Sequence, residues 1–126
     1  MKTQNISVFL LVGLGGAIGA VLRFLVAEWT PQTNFPMSTI IVNLIGCFIL
    51  GYITFQPWIR QKLTPAAFTG LSTGIIGSFT TFSTFIAEGW VLTENNIIWA
   101  VGYLLLTMIG GLLSCWLGIR LSYIKE

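Results

Sequence analysis

Long apolar runs broken by short polar or proline-bearing connections dominate the chain. They cover about residues 8–27, 37–55, 66–92 and 97–122, each near or above the roughly 20 residues that a helix needs to cross a bilayer. Only Arg23 interrupts the first, while Pro36 opens the second and Gln56 and Pro57 close it. Trp29, Trp58, Trp90 and Trp99 fall at or near the span ends, the depth an amphipathic ring prefers. The connections, roughly 28–36, 56–65 and 93–96, leave no room for an extramembrane catalytic domain. The pattern predicts an all-α membrane protein with four transmembrane helices in one unit, residues 1–126. Lys2 ahead of the first run imitates a signal peptide, but three more runs follow, so it reads as a retained span.

The third run differs in chemistry. Residues 69–84 (TGLSTGIIGSFTTFST) hold eight Ser or Thr and three Gly in sixteen positions. Gly costs about 1 kcal/mol relative to Ala inside a helix, and Thr loses rotamer freedom there. The stretch Gly77-Ser78-Phe79-Thr80-Thr81 is therefore the expected place for a break. Irregular backbone at membrane depth survives only inside protein or beside a wet cavity, so span three is expected to be interior and discontinuous.

Composition agrees and excludes. Of 126 residues, 55% are hydrophobic and 8% charged, with a mean hydropathy of +0.86, against roughly 25% charged in soluble domains. A soluble enzyme is excluded, and the chain is read as no enzyme at all. A net charge of +2 supplies no phosphate-neutralising stripe for nucleic acid. There is no His, and Cys47 and Cys115 lie in apolar runs as small apolar residues, so zinc and haem sites are not expected.

Individual residues then carry candidate chemistry. Gly15 and Gly19, and again Gly70 and Gly74, have the spacing that lets membrane helices approach backbone to backbone; the nucleotide-binding pattern fails at Gly13, Gly15 and Ile18. Asn43 is the only amide in span two. It reads either as interhelical glue or, beside the Ser/Thr-rich span, as a pore residue whose NH2 offers donors to a desolvated anion. Phe79, Phe82 and Phe85 recur every third residue, and ring edges are electropositive, so such rings either pack or line an anion path. Arg23, near the end of span one, could snorkel or serve a vestibule. Glu88, one turn past the Ser/Thr track, reads as a pathway residue or an interface position.

At Gly77-Ser-Phe-Thr-Thr-Phe-Ser-Thr-Phe85, with Gly15-Gly-Ala-Ile-Gly-Ala-Val-Leu-Arg23 and Asn43-Leu-Ile-Gly46, the chain resembles the Fluc (CrcB) family of microbial fluoride channels over essentially its whole length. The resemblance implies a four-helix subunit with a broken third helix, paired antiparallel into a dimer with two pores in a prokaryotic membrane. It implies a fluoride pore lined by Asn43, Phe82 and Phe85, and a structural, untransported Na+ on main-chain carbonyls of Gly77 and Thr80. Hydroxyls of Ser83 and Thr84 can replace part of fluoride's hydration shell, with Glu88, Tyr103 and Arg23 as further track candidates. The chain departs from the family at Gly77-Ser78-Phe79, where Gly-Gly-Leu is usual, and at Gly111 and Cys115, where Ser and Thr on span four are common.

The implied function is passive fluoride export, with the ion leaving down its electrochemical gradient. A small proton-coupled multidrug exporter of four-span dual-topology type is the alternative, but it needs a carboxylate inside span one, where Glu28 lies at the end. A non-transporting assembly subunit would not explain a Ser/Thr/Phe track. With four spans, Lys2, Arg60, Lys62, Lys125 and Arg120 share one side and Arg23 alone the other. That bias predicts cytoplasmic termini and an antiparallel partner that is either the chain itself or an oppositely oriented paralogue.

Overall fold

A computed structural model describes residues 2–124, with side chains from Ile6 onward. Lys125 and Glu126 of the charge count, and the side chain of Lys2, lie outside the described residues. The helices are α1 (Lys2–Trp29), α2 (Met37–Phe55), α3 (Pro57–Lys62), α4 (Pro65–Thr69), α5 (Gly77–Phe79), α6 (Ser83–Asn95) and α7 (Ile97–Ser122), with a π-helical stretch, Gly70–Ile76, joining α4 to α5. Four segments are long and apolar enough to cross a membrane: Ile6–Trp29, Met37–Phe55, Pro65–Asn95 and Ile97–Ser122. No strand occurs among the described residues.

Local chemistry sets the boundaries. Gln56 is extended because the ring of Pro57 disfavours a helical residue before it, and Pro57 then starts α3 where its missing N–H costs nothing. Thr64 caps α4 by accepting from the Ala67 N–H at 3.2 Å, and Asn96 caps α7 by accepting from Ile98 at 2.8 Å.

Span three breaks at Thr80–Phe82, between α5 and α6, overlapping the end of the expected stretch. Gly77 itself stays helical, at φ −62° and ψ −33°, and Thr80 turns extended with ψ 164°. The π-helical turns just before were not visible in the residue pattern.

Packing divides the four spans into two tight pairs. Helix α1 lies along the first arm of span three, α2 lies along α7, and α6 also rests on α7. The first pair is an interlock of glycines: a β-carbon on Gly19 would strike the Ile75 carbonyl oxygen, and one on Gly74 would come within 3.2 Å of the Gly15 Cα. This is the backbone-to-backbone role expected of the two glycine pairs. The Ser78 hydroxyl is accommodated above Gly16, 3.3 Å from where a β-carbon would sit.

The second pair has the same device. A β-carbon on Gly118 would strike the Phe48 carbonyl, and one on Gly51 the carbonyl of Cys115. Gly111 is buried against the Cys47 sulfur. Gly111 and Cys115 thus form part of the α2–α7 seam.

A small core of Ile40, Phe85, Leu92, Ala100 and Tyr103 fills the junction of α2, α6 and α7. Most other large apolar side chains face outward, as a bilayer allows.

Candidate functional site

The break brings together residues from the first three spans, and the fourth meets α6 just beyond it. Asn43, half-buried on α2, faces it: its Nδ2 donates to the Thr81 carbonyl at 2.9 Å, and its Oδ1 accepts from the Thr81 N–H at 2.8 Å. One side-chain amide thus satisfies both main-chain groups of a residue that has left the helix. Unpaired, each would cost roughly 1–3 kcal/mol. One of the two donors assigned to Asn43 from its chemistry is therefore committed to protein.

Arg23 reaches the break. Helix α1 continues to Trp29, about 9 Å further along its axis, and the Arg23 Nη1 donates to the Thr80 carbonyl at 3.4 Å. Of the two readings of Arg23, a snorkel or a structural and vestibule role, this contact with the carbonyl exposed at the break fits the second.

Two helix ends face each other across the break. The last carbonyls of α5 and the first N–H groups of α6 lack intrahelical partners, giving a partial negative end and a partial positive end. The Thr81 hydroxyl accepts from the Thr84 N–H at 3.2 Å and donates to the Thr84 hydroxyl at 2.9 Å. Ser83 and Thr84 are exposed on the first turn of α6.

The phenylalanines separate into distinct environments. Phe79 precedes the break and shares a groove with Leu22, Leu25, Val26 and Trp29 of α1. Phe82 is 75% exposed and Phe85 only 4%, with ring centroids 6.0 Å apart and planes at 49°. An even helical spiral of three rings does not form, because residues 80–82 are not helical. The aromatic row continues instead through Tyr103, 5.4 Å from Phe85, to Phe35, 5.9 Å further and edge-on at 84°. Phe35 belongs to a connection and gave no signal in the sequence.

Glu88 and Tyr103 are brought together, the Tyr103 hydroxyl donating to the Glu88 Oε2 at 2.9 Å. The buried Thr39 hydroxyl lies against the same phenol. Further along α7, the Thr107 hydroxyl donates to the Tyr103 carbonyl at 2.8 Å. The polar line on span four thus runs from Tyr103 to Thr107 and stops at Gly111.

A cavity of about 350 Å³ is bounded by Arg23, Thr39, Thr81, Thr84 and Glu88, among others. A second, of about 340 Å³, lies beneath the 30–37 connection. Both are lined by Ala27, Ser38 and Glu88, so the Glu88 carboxylate stands where they meet. The set offers hydroxyls, one guanidinium and a helix N-terminus to a small anion. Among the described residues no cluster of three or more His, Cys, Asp or Glu could hold a metal.

Comparison with known proteins bears on this arrangement. Residues 10–119 match the family described as CrcB-like protein, Camphor Resistance (CrcB). A fluoride-specific ion channel FluC 2 of Listeria innocua is 38% identical over 117 residues, covering 90% of this chain and 89% of its own length. The FluC of Chlorobium phaeobacteroides is 38% identical over 122 residues, covering 94% and 95%. That of Azotobacter vinelandii is 38% identical over 122 residues, covering 93% and 98%.

Proposed function

The chain belongs to the CrcB-like family, and from that premise we propose that it is the subunit of a fluoride-specific channel, multi-pass in a prokaryotic membrane, that lets cytoplasmic fluoride leave passively. It is a channel and not an enzyme. The observation that carries the reading is the clamp of Asn43 on Thr81. It holds a helix open inside the membrane, where the N-terminus of α6 with Thr81 and Thr84 borders a polar cavity.

Fluoride is small and strongly hydrated, so its path must offer close donors of comparable strength. Asn43, Ser83, Thr84 and the electropositive edges of Phe82 and Phe85 provide them without a Lys that would trap the ion. Arg23 raises the potential at the break, and the Tyr103 hydroxyl keeps the Glu88 carboxylate engaged beside the track. The proton-coupled exporter has no support: Glu28, its required carboxylate, is exposed at the end of α1.

Two subunits pair antiparallel, this chain with itself or with an oppositely oriented paralogue, giving two pores. The exposed Phe82 ring and the exposed main chain at Gly77 suit burial against a second subunit. The carbonyls of Gly77 and Thr80 fit a structural Na+ between the copies. They stand at the free C-terminal end of α5, and the contacts they make here, 3.5 Å from the Thr80 hydroxyl to Gly77 and 3.4 Å from Arg23 to Thr80, are long. A Na+ would supply fixed positive charge near the anion path.

Reconstitution into liposomes tests the function, with efflux recorded on fluoride-sensitive and chloride-sensitive electrodes. Fluoride efflux without chloride efflux is expected. Equal fluxes would remove the selectivity, and no flux from folded protein would remove the channel.

A further inference from the structure

We infer that the end of the molecule carrying Arg60, Lys62 and Arg120 is a binding surface for anionic phospholipid headgroups. Helix α3 joins span two to span three at this end. The C-terminus of α7 meets the same place, since the Phe55 and Tyr123 rings lie 6.3 Å apart. All three cations are exposed.

Each cation rests on an aromatic ring. The Arg60 guanidinium lies 4.7 Å from the Phe68 centroid, the Lys62 ammonium 4.3 Å from Trp58, and the Arg120 guanidinium 5.9 Å from Trp116. Trp58, Trp116 and Tyr123 are 61%, 58% and 55% exposed, as side chains at headgroup depth would be. Ring stacking uses the face of a guanidinium and leaves its in-plane N–H donors free, and these match the oxygens of a phosphate.

The charge has no internal counterpart among the described residues. Glu28 and Glu94 belong to the opposite end, and Glu88 is engaged with Tyr103. The anion that answers these cations must therefore come from outside the described fold, and in a membrane the phosphodiester of the adjoining leaflet is the anion at this depth. Each basic side chain there is worth roughly a fivefold preference for an anionic surface.

The surface also touches the functional half of the fold. Arg60 on α3 rests on Phe68 of α4, the start of the arm that ends at the break. Headgroups gathered on Arg60 would hold that arm against the interface.

Thermal unfolding of the full chain in neutral detergent, with added phosphatidylglycerol, phosphatidylcholine or inorganic phosphate, tests the inference. Phosphatidylglycerol is expected to raise the midpoint, phosphatidylcholine to have little effect, and phosphate to give only a small rise. R60Q/K62Q/R120Q should lose most of the phosphatidylglycerol shift, while E28Q/E94Q at the other end keeps it. Native mass spectrometry of retained lipid should show the same loss of preference, on the order of tenfold or more for the triple variant. Equal shifts with both lipids, a full shift with phosphate alone, or a triple variant that retains the wild-type shift would each overturn it. Fluoride efflux of the triple variant in phosphatidylcholine vesicles should match wild type, which separates this surface from the channel itself.

Discussion

Asn43 and Thr81 pair through both hydrogen-bonding groups of each, 2.9 Å one way and 2.8 Å the other, so that a side-chain amide stands in for a neighbouring peptide. Asn43→Leu keeps the volume and orphans two main-chain groups. A loss of roughly 2 kcal/mol in stability and loss of fluoride flux are expected. Asn43→Asp keeps the acceptor but sets a carboxylate against the Thr81 carbonyl, and should conduct less than wild type even where it folds. Unfolding midpoints together with liposome efflux check both; wild-type flux in folded Asn43→Leu would remove the clamp from the mechanism.

Phe82 and Phe85 should separate on stability while agreeing on flux. Phe82→Ile changes a ring that is exposed within the subunit and should leave the subunit's own fold near wild-type stability, its cost falling on the dimer contact, whereas Phe85→Ile reshapes the core contact with Tyr103 inside the subunit and should cost about 1–2 kcal/mol. Both should lower fluoride efflux per folded dimer. Phe79→Ile, in the groove against α1, should leave efflux nearly unchanged. Three equal effects on efflux would contradict the role given to ring edges.

The glycine seam gives a sharp pair of outcomes. Gly19→Ala drives a methyl into the Ile75 carbonyl and within 2.9 Å of the Phe79 nitrogen, and should destabilise by roughly 1–3 kcal/mol. Gly13→Ala meets nothing within 4 Å and should be neutral or gain up to about 1 kcal/mol of helix propensity. Unfolding in detergent compares them directly.

A Na+ on the axis of an antiparallel dimer would depend on carbonyls, so Thr80→Ser should keep it. Sodium-dependent dimer stability, equal in the variant and in wild type, is the expected reading. A density map with side chains packed between the two Thr80 carbonyls would refute the site.

Orientation follows from the charge bias, in which Arg23 is the single Lys or Arg on the far side. The remaining cations share the side of the termini, which should hold the termini in the cytoplasm and call for an oppositely oriented paralogue as the antiparallel partner. Single cysteines placed in the 56–65 connection, on a background lacking Cys47 and Cys115, should label from one side of intact cells only. Labelling from both sides in equal measure would restore a dual-topology homodimer.

Four spans, their ends and the abnormal third span were legible in the residues, because hydropathy over about 20 positions and the cost of clustered Gly and Thr are local quantities. The Thr-Thr-Phe-Ser-Thr-Phe string was equally legible, and so was the close packing of Gly15, Gly19, Gly70 and Gly74, since their spacing is a helical repeat. What Asn43 binds, where Arg23 turns, which phenylalanine is buried and that Tyr103 meets Glu88 were decided only by tertiary structure. Each depends on the rotation and height at which one helix meets another, and those are set by glycine contacts between α1 and span three and between α2 and α7. The π-helical turns at Gly70–Ile76 belong with them. They fall where Gly70 and Gly74 press against α1, a contact between residues more than fifty positions apart that no local pattern records.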